Sequence, residues 1–255
     1  MGVQLKSKAE IAQLREAGRV VATILQQLRE AARPGVTTGE LDELAREGIR
    51  KAGVKPAWLG YAPGGRQPFP GVICASINEE VVHGIPTRKR KLREGDIVGL
   101  DFGIIREGWF GDSAVTVPVG EVTEEASNLI RVTREALELG IAQARPGNRI
   151  YDIGAAIQAH VEKHGYSVVR DFVGHGVGRR LHEEPQVPNY GPGGQGVRIK
   201  PGMVIAIEPM VNVGTWQVEE LDDDWTAVTT DGKLSAHFEH TIAVTEDGPI
   251  VLTLP

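Results

Sequence analysis

An internal duplication constrains the fold of this 255-residue chain more than any other feature of its sequence. The tetrapeptide Ala-Arg-Pro-Gly occupies residues 32–35 and recurs at residues 144–147, an offset of 112 residues. A repeated unit with only two copies predicts a pseudo-symmetric domain with a shared core, not an open solenoid. We therefore expect residues 1–255 to form one domain, with halves at about 1–120 and 121–255.

Each half is predicted to begin with two amphipathic helices. In the first half, capping-box patterns at Ser7 with Glu10 and at Thr37 with Glu40 precede apolar residues at helical spacing. In the second half, Thr123 opens the corresponding first helix. Pro-Gly pairs stop the first helix of each half, and glycines at the same offset cap the second, namely Gly53 and Gly165.

Strands are predicted after the helices of each half. Segments 97–105 and 109–117 flank a turn at 106–108, a pattern that predicts a hairpin with Asp101 and Asp112 opposite each other to within one residue. Near the C-terminus, segments 225–230 and 238–245 flank Asp-Gly-Lys and predict a second hairpin.

Carboxylates occupy matching positions in the two halves. Asp101 and Glu208 each follow a glycine by six residues and end an otherwise apolar run, and Glu239 has a similar setting. A solvated strand end or an arginine partner would explain any one of them, Asp112 above all. Four carboxylates converging on one point would require metal ions, because uncompensated buried charges cost several kcal/mol. Oxygen ligands with one imidazole suit Mn, Fe, Co or Zn.

The imidazole is expected from a glycine-rich segment. His175 lies among glycines at 174, 176 and 178, which permit close approach of the backbone to a site, and His182 follows seven residues later. A phosphate-binding loop is the competing interpretation, but the segment has neither the Lys-Ser/Thr of a P-loop nor dinucleotide-type glycine spacing. His83, also beside a glycine, is a weaker candidate.

Composition excludes several classes of protein. A net charge of −6 and a pI near 5.7 give no reason to expect nucleic-acid binding. One cysteine excludes an intrachain disulfide and suits a reducing compartment, and no uncharged apolar run of about 18 residues predicts a membrane span. We therefore expect a cytoplasmic protein, and nothing in the sequence demands more than a monomer.

The motifs resemble those of type I methionine aminopeptidases over almost the whole chain. The segments that carry the resemblance are Ser76-Ile77-Asn78-Glu79, His83-Gly84-Ile85-Pro86, Gly111-Asp112, Gly174-His175-Gly176-Val177-Gly178, His182-Glu183-Glu184-Pro185, Glu208-Pro209-Met210 and Glu239-His240-Thr241. The resemblance implies the pita-bread fold, an α/β (α+β) arrangement of duplicated helix-helix-strand units around a curved antiparallel sheet.

The resemblance also implies a role for each candidate site residue. Two divalent ions (Co, Mn, Fe or Zn) would be bound by Asp101, Asp112, His175, Glu208 and Glu239, with Asp112 and Glu239 bridging both. Asp101 would serve one ion, and His175 and Glu208 the other. A water activated between the ions would attack the first peptide bond, with Glu208 as its proton shuttle. His182 would stabilise the oxyanion, and His83 would contact the scissile amide.

A methionine side-chain pocket is implied less completely. Tyr61, Phe69, Cys74 and Trp225 fall where the family lines this pocket, although ordinary core packing is the alternative for each. Two positions depart from the family pattern: many bacterial members have cysteine in place of Trp58 and phenylalanine in place of Leu181. Extra residues at 62–68 also border the pocket.

The implied activity is removal of the initiator methionine from nascent chains whose second residue is small, with transient proximity to the ribosome. One rival is a prolidase or aminopeptidase P on the same fold, enzymes that usually carry a large extra N-terminal domain. Another is a binding protein that has lost its metals, but all five ligand types are present.

Overall fold

The structure, a computed structural model, describes residues 2–255 and contains four α-helices in that range. These are α1 (Lys8–Ala31), α2 (Thr38–Ala52), α3 (Glu124–Gln143) and α4 (Ile150–Lys163). Fifteen strands are β1 (Lys55–Pro56), β2 (Ile73–Ile77), β3 (Glu80–Val82), β4 (Ile97–Arg106), β5 (Trp109–Pro118), β6 (Ser167–Val168), β7 (Gly174–Gly176), β8 (Glu183–Val187), β9 (Val204–Ile207), β10 (Met210–Asn212), β11 (Val218–Glu220), β12 (Ala227–Thr229), β13 (Ser235–His237), β14 (Glu239–Thr245) and β15 (Gly248–Val251).

The helix ends follow the local signals in the sequence. Both predicted capping boxes form, so the Ser7 and Thr37 side chains accept hydrogen bonds from the backbone three residues on. Thr123 caps α3 in the same way. Gly53 ends α2 in the left-handed conformation, with φ of +65°, which a residue without a Cβ adopts freely.

A nine-stranded antiparallel sheet joins the two halves. Its strand order is β1-β4-β5-β14-β9-β7-β8, with β15 added to β14 and β2 added to β4. The central pair, β5 with β14, takes one strand from each half. The α1 and α3 helices contact this sheet, and one buried apolar cluster contains residues of both halves. This arrangement confirms the α/β class.

Strand periodicity separates the core from the site. Val98, Leu100, Phe102 and Ile104 alternate along β4 and belong to the main buried cluster. Successive side chains of a strand point to opposite faces of the sheet. Asp101 therefore projects from the face opposite to these core residues. It is nevertheless buried, with only 8% of its surface exposed.

The predicted register of the first hairpin is wrong by one residue. Arg106 pairs with Trp109 across a two-residue turn, so Asp101 pairs with Ala114 and Asp112 pairs with Gly103. The two aspartates are therefore diagonal neighbours, two residues apart in register. Because side chains alternate with a period of two, this register places both on one face, whereas a one-residue offset would separate them.

The predicted C-terminal hairpin is also wrong. The β12 strand pairs with β11 and β3 in a separate three-stranded sheet, whereas β14 lies between β5 and β9 in the large sheet. A turn does form, because the Thr229 hydroxyl donates to the carbonyl oxygen of Lys233, but the chain then continues into β13, which pairs with β10. Among residues 2–255, no helix has both the length and the apolar character needed to span a bilayer.

Candidate metal centre

A row of paired residues across the large sheet brings predicted site residues together. Ala114 of β5 pairs with Asp101 on one side and with Glu239 on the other. Cys74 of β2 pairs with Asp101 and extends the row. Residues paired in this way project from the same face, and Asp112 joins them because it lies two positions before Ala114. Three carboxylates therefore share one face of the sheet.

The second half adds a carboxylate and an imidazole to this face. Glu208 directly follows the last residue of β9, whose pairing with β14 places it beside Glu239. Nε2 of His175, in β7, lies 3.4 Å from Oε1 of Glu208 and 3.9 Å from Oδ2 of Asp112. Asp112, His175 and Glu239 each offer an atom within 4.8 Å of the other two. Residues from both halves of the duplicated fold therefore form the site.

Two glycines allow His175 to approach this position. A Cβ on Gly174 would overlap the carbonyl oxygen of Ala206, and a Cβ on Gly176 would overlap that of Glu184. Both neighbours are backbone atoms of paired strands, which cannot move aside without breaking the sheet. The glycine-rich pattern is therefore required for close strand packing around the imidazole, which agrees with the sequence interpretation.

The electrostatics of the buried carboxylates favour a bound cation. Burial raises the pKa of Asp101 to about 7, and burial with mutual repulsion raises the pKa of Asp112, Glu208 and Glu239 above their usual range. Among the described residues, three buried oxygens of this group have no hydrogen-bond partner: Oδ1 of Asp101, Oδ1 of Asp112 and Oε1 of Glu239. Buried acceptors without donors fit divalent cations, which would neutralise and coordinate them.

The histidines of the site are held in the neutral state. Burial lowers the pKa of His175 to about 3, and burial also lowers the pKa of His182. A neutral imidazole has one nitrogen available as a ligand or acceptor. Nδ1 of His175 lies 3.0 Å from the carbonyl oxygen of Gly176, which can only accept, so Nδ1 carries the proton and Nε2 is free to bind a metal.

His182 lies beside this imidazole and is hydrogen-bonded to a tyrosine. Its ring centroid is 4.4 Å from that of His175, and its Nδ1 lies 2.7 Å from the hydroxyl oxygen of Tyr61. The tyrosine comes from the connection after β1 in the first half, whereas His182 comes from the second half. This hydrogen bond therefore links the two halves of the protein beside the site.

His83 occupies an aromatic enclosure at the same cavity. Its ring centroid lies 5.5 Å from that of Trp58, 5.4 Å from that of Phe172 and 6.0 Å from that of Trp225. The backbone of His83 is left-handed, with φ of +62°, a conformation that non-glycine residues adopt infrequently. Burial lowers its pKa to about 4, so the ring is uncharged at neutral pH.

A cavity of about 250 Å³ contains the predicted metal ligands and most of the predicted substrate residues. Its lining includes all five ligands, His83, His182, Tyr61 and Trp225. Phe69 and Cys74 do not reach it. They are 1% and 0% exposed and pack with Trp58 and Trp225 in a buried cluster beneath the aromatic wall. Phe69 and Cys74 therefore contact the cavity only indirectly, by packing against Trp58 and Trp225, which belong to its aromatic wall.

The lining also contains residues that were not predicted from the sequence, among them His237 and Phe172. His237 places Nε2, buried and without a hydrogen-bond partner, 4.0 Å from Oε2 of Glu208. The indole Nε1 of Trp58 is also buried without a hydrogen-bond partner. This N–H group lies close enough to the Asp101 carboxyl to oppose the rise in its pKa, although the two do not meet the geometry of a hydrogen bond. His237 had a visible signal, since it lies two residues before Glu239. Trp58 was placed beside the pocket by the family resemblance, and its approach to Asp101 depends on the pairing of β1 with β4.

Comparison with known proteins places the chain among metallopeptidases. The sequence profile of metallopeptidase family M24 matches residues 12–246. A methionine aminopeptidase of Clostridium acetobutylicum is 51% identical over 98% of this chain and 98% of its own. Methionine aminopeptidase 1 of Bacillus subtilis is 50% identical over 97% of this chain and 98% of its own.

Solved structures agree with the fold. The crystal structure of methionine aminopeptidase from Thermotoga maritima superposes with a TM-score of 0.96 at 48% identity and covers 100% of both chains. Prolidase from Pyrococcus furiosus has a TM-score of 0.79 at 21% identity, covering 98% of this chain and 65% of its own, and so shares the fold alone. These neighbours confirm the predicted pita-bread arrangement. The chain therefore belongs to the methionine aminopeptidases of metallopeptidase family M24.

Proposed function

We propose that this protein removes the N-terminal methionine from nascent polypeptides whose second residue is small, and that it does so with two divalent metal ions. One observation carries the proposal: four carboxylates from both halves, three of them buried, line one cavity together with His175, whose Nε2 can bind a metal. Four carboxylate groups exceed what one small cation needs for neutralisation. The surplus supports a dinuclear centre in which some carboxylates bridge.

The proposed ligands divide as the sequence implies. Asp112 and Glu239 would bridge the ions, Asp101 would complete one ion's ligands, and His175 with Glu208 would complete the other's. The grouping of Asp112, Glu239 and His175, each with a ligand atom within 4.8 Å of the other two, supports this division. The mixture of oxygens with one imidazole suits Mn, Fe, Co or Zn, and it does not select among them.

Bound ions would supply an acidified water as the nucleophile and would polarise the scissile carbonyl. The chain itself supplies the groups that move protons and stabilise charge. Glu208 accepts a proton from the attacking water and delivers it to the departing amine of the second residue. Its carboxylate lines the cavity, with Oε1 3.4 Å from Nε2 of His175, and so faces the position where the ions would hold this water.

His182 is proposed to stabilise the oxyanion of the tetrahedral intermediate. If the Tyr61 hydroxyl donates to Nδ1, then the neutral imidazole carries its proton on Nε2 and donates there. The lowered pKa of His182, caused by burial, supports this neutral donor. His83 is proposed to contact the scissile amide from the aromatic side of the cavity, where three rings fix its orientation.

The methionine side chain is proposed to bind against the aromatic wall. Trp58, Tyr61, Phe172 and Trp225 line the cavity, and aromatic rings make favourable contacts with a thioether sulfur. Trp58 is larger than the cysteine of many relatives, so we expect a pocket narrowed on its side. A pocket narrowed in this way would accept an unbranched side chain such as that of methionine and would disfavour a branched one.

The test is release of methionine from Met-Xaa-Ser tripeptides by chelated protein to which Mn, Fe or Co has been returned. We expect release when Xaa is Gly, Ala or Ser, and a loss of more than about 100-fold when Xaa is Leu or Glu, from steric exclusion beyond the first residue. Ala-Pro and Leu-Pro dipeptides test the prolidase alternative in the same assay. Hydrolysis of these in preference to Met-Ala-Ser would overturn the proposal.

Metal stoichiometry is measured on the same samples. Elemental analysis after dialysis is expected to give two ions per chain at saturation, with activity lost on chelation and restored by metal. A stable value of one ion with full activity would contradict the dinuclear centre and leave the substrate proposal intact. Cytoplasmic location, a monomeric state and transient proximity to the ribosome remain predictions, which fractionation, light scattering and ribosome co-sedimentation test.

A further inference from the structure

Two histidines and a glutamate that the catalytic site does not use lie together on the outer helices. His160 is in the last turn of α4, His164 caps that helix, and Glu135 lies on α3. Each offers a ligand atom within 4.8 Å of the other two. None of the three is among the residues that line the catalytic cavity. The cluster therefore needs an explanation of its own.

Helical spacing brings the two imidazoles together. Residues four apart lie on the same face of a helix, and the ring centroids of His160 and His164 are 4.5 Å apart. Histidines with this spacing on one helix are a recurrent zinc-binding arrangement. Packing of α3 against α4 then adds Glu135, whose Oε2 lies 3.1 Å from Nε2 of His160.

Local hydrogen bonds orient His164 as a ligand. Its Nδ1 lies 2.9 Å from the carbonyl oxygen of His160, which can only accept, so Nδ1 carries the proton. Nε2 of the neutral ring then presents a lone pair. A backbone carbonyl that fixes the tautomer of an imidazole in this way is the usual outer partner of a metal-binding histidine.

The carboxylate is also held in place. Nη1 of Arg131 lies 2.9 Å from both oxygens of Glu135, and these hydrogen bonds hold the pKa of that carboxyl below its usual value. Because Glu135 is ionised, Nε2 of His160 must be the donor in their hydrogen bond. Adjacent ligands in a tetrahedral zinc site are about 3.3 Å apart for bonds of about 2.0–2.1 Å, so a metal ion bound to Nε2 of His160 and Oε2 of Glu135 needs little rearrangement of the two side chains.

The helix end adds to the attraction for a cation. The last carbonyl groups of a helix carry partial negative charge, and both histidines lie at the C-terminal end of α4. Arg131 and Lys163 oppose the attraction with their positive charges. The balance predicts a site that binds more weakly than the buried catalytic centre and that exchanges readily with solvent.

We propose that Glu135, His160 and His164 form a second metal site, which binds Zn²⁺ or Cu²⁺ with solvent water completing the coordination. Binding joins α3 to α4, and the Nε2 proton of His160 moves to Nδ1 of the same ring, so the neutral imidazole ligates through Nε2. The site is separate from the catalytic ligands, and a metal bound there would stabilise the packing of α3 against α4. Two imidazoles and one carboxylate suit these metals better than Mg²⁺ or Ca²⁺, which prefer oxygen.

The experiment compares zinc binding by the full-length protein and its His160→Gln/His164→Gln variant, by isothermal titration calorimetry after the catalytic sites have been loaded. The wild-type protein is expected to bind one additional equivalent of Zn²⁺. Zinc is also expected to raise the Tm of the wild-type protein more than that of the variant, because a ligand that binds only the folded state stabilises it. Methionine release by the variant is expected to be unchanged.

A matched pair of charge variants tests the carboxylate. Glu135→Gln is expected to weaken the additional zinc site at least about tenfold, whereas Glu138→Gln, which removes the same charge one turn along α3, leaves it unchanged. In ¹H–¹⁵N spectra of the imidazoles, zinc is expected to shift the Nε2 signals of His160 and His164. Equal zinc stoichiometry in the wild-type protein and the double-histidine variant, with no shift of these signals, would show an ordinary surface ion pair and overturn the proposal.

Discussion

The hydroxyl oxygen of Tyr61 lies 2.7 Å from Nδ1 of His182, so a residue of the aromatic wall is hydrogen-bonded directly to the proposed oxyanion donor. The ring of Tyr61 lines the cavity, and its hydroxyl, as donor to Nδ1, would fix the proton of His182 on Nε2. In the absence of the hydroxyl, the proton of the neutral imidazole can occupy either nitrogen. We therefore expect Tyr61 to act on the rate as well as on substrate binding.

Tyr61→Phe keeps the ring and removes the hydrogen bond. We expect kcat for Met-Ala-Ser to fall about tenfold with little change in KM, a smaller effect than the roughly 10²–10³-fold loss when an oxyanion donor is itself removed. Tyr151→Phe, in α4, is the matched control and is expected to retain full activity. A rise in KM at constant kcat would show that Tyr61 contributes only to the pocket.

Asp112 is the carboxylate whose loss is expected to disrupt the centre most. It is 3% exposed and lies near both His175 and Glu239, which supports the bridging role. Asp112→Asn removes one negative charge and one bridging oxygen, and we expect methionine release to fall by more than about 100-fold with loss of bound metal. Asp171→Asn makes the same change in another residue lining the cavity and is expected to keep its metal. Full metal occupancy in Asp112→Asn would contradict the assignment.

The metal-free protein is expected to lose stability as the pH rises above 6.5. Burial raises the pKa of Asp101 to about 7, from an unfolded value near 4, so the folded state binds more protons than the unfolded state in this range. For each carboxyl that is protonated in the folded state but ionised in the unfolded state, the free energy of unfolding falls by about 1.4 kcal/mol for every unit that the pH rises. The fall stops when that carboxyl ionises in the folded state as well. The buried histidines have lowered pKa values and change stability only below about pH 6.5.

Urea unfolding of chelated and metal-loaded protein at pH 6.5 and pH 8 measures this effect. The chelated form is expected to be less stable at pH 8, whereas the metal-loaded form should change little, because its carboxylates are already ionised and coordinated. Asp101→Asn should reduce the slope for the chelated form. A chelated protein as stable at pH 8 as at pH 6.5 would show that the carboxylates ionise without cost.

Local signals explain why so much of the helical framework could be predicted. Capping boxes at Ser7 and Thr37 and the left-handed Gly53 depend on contacts within a few residues, and all three form. The register of the β4–β5 hairpin was wrong because Glu107 and Gly108 both adopt positive φ, +51° and +79°, in a two-residue turn. Such turns are usually signalled by Asn-Gly or Asp-Gly, and Glu-Gly gives a weaker signal.

Long-range pairing limited the remaining predictions. The β12 strand pairs with β3, which lies more than a hundred residues earlier in the chain, so the adjacent Asp-Gly signal suggested the wrong partner. Asp101, Glu208 and Glu239 could be selected as candidates because each is a charge within an apolar run, a conflict that local sequence reveals. His237 and Trp58 carry no such conflict, since polar histidine and tryptophan groups occur commonly in cores. The sequence indicated their place only indirectly, for His237 by its position two residues before Glu239 and for Trp58 by the family resemblance.

The N-terminal segment is expected to control the loop that carries His182. Nζ of Lys6 lies 2.7 Å from Oε2 of Glu183, and the two side chains are 4% and 5% exposed. The other oxygen of Glu183 accepts hydrogen bonds from the backbone N–H groups of Arg179 and Arg180. Glu183 thus fixes the turn that precedes it, and His182 is its immediate neighbour.

Lys6→Met leaves the buried Glu183 carboxylate without its cation. Removing one partner of a buried ion pair costs about 3–5 kcal/mol, so we expect the free energy of unfolding to fall by about 3 kcal/mol. We also expect a lower kcat, because the loop that positions His182 loses its anchor. Lys8→Met, at an exposed position of α1, is the control. Adding Glu183→Gln to Lys6→Met should recover stability but not kcat, since it removes the uncompensated charge without restoring the anchor; unchanged unfolding and kcat in Lys6→Met would refute this role.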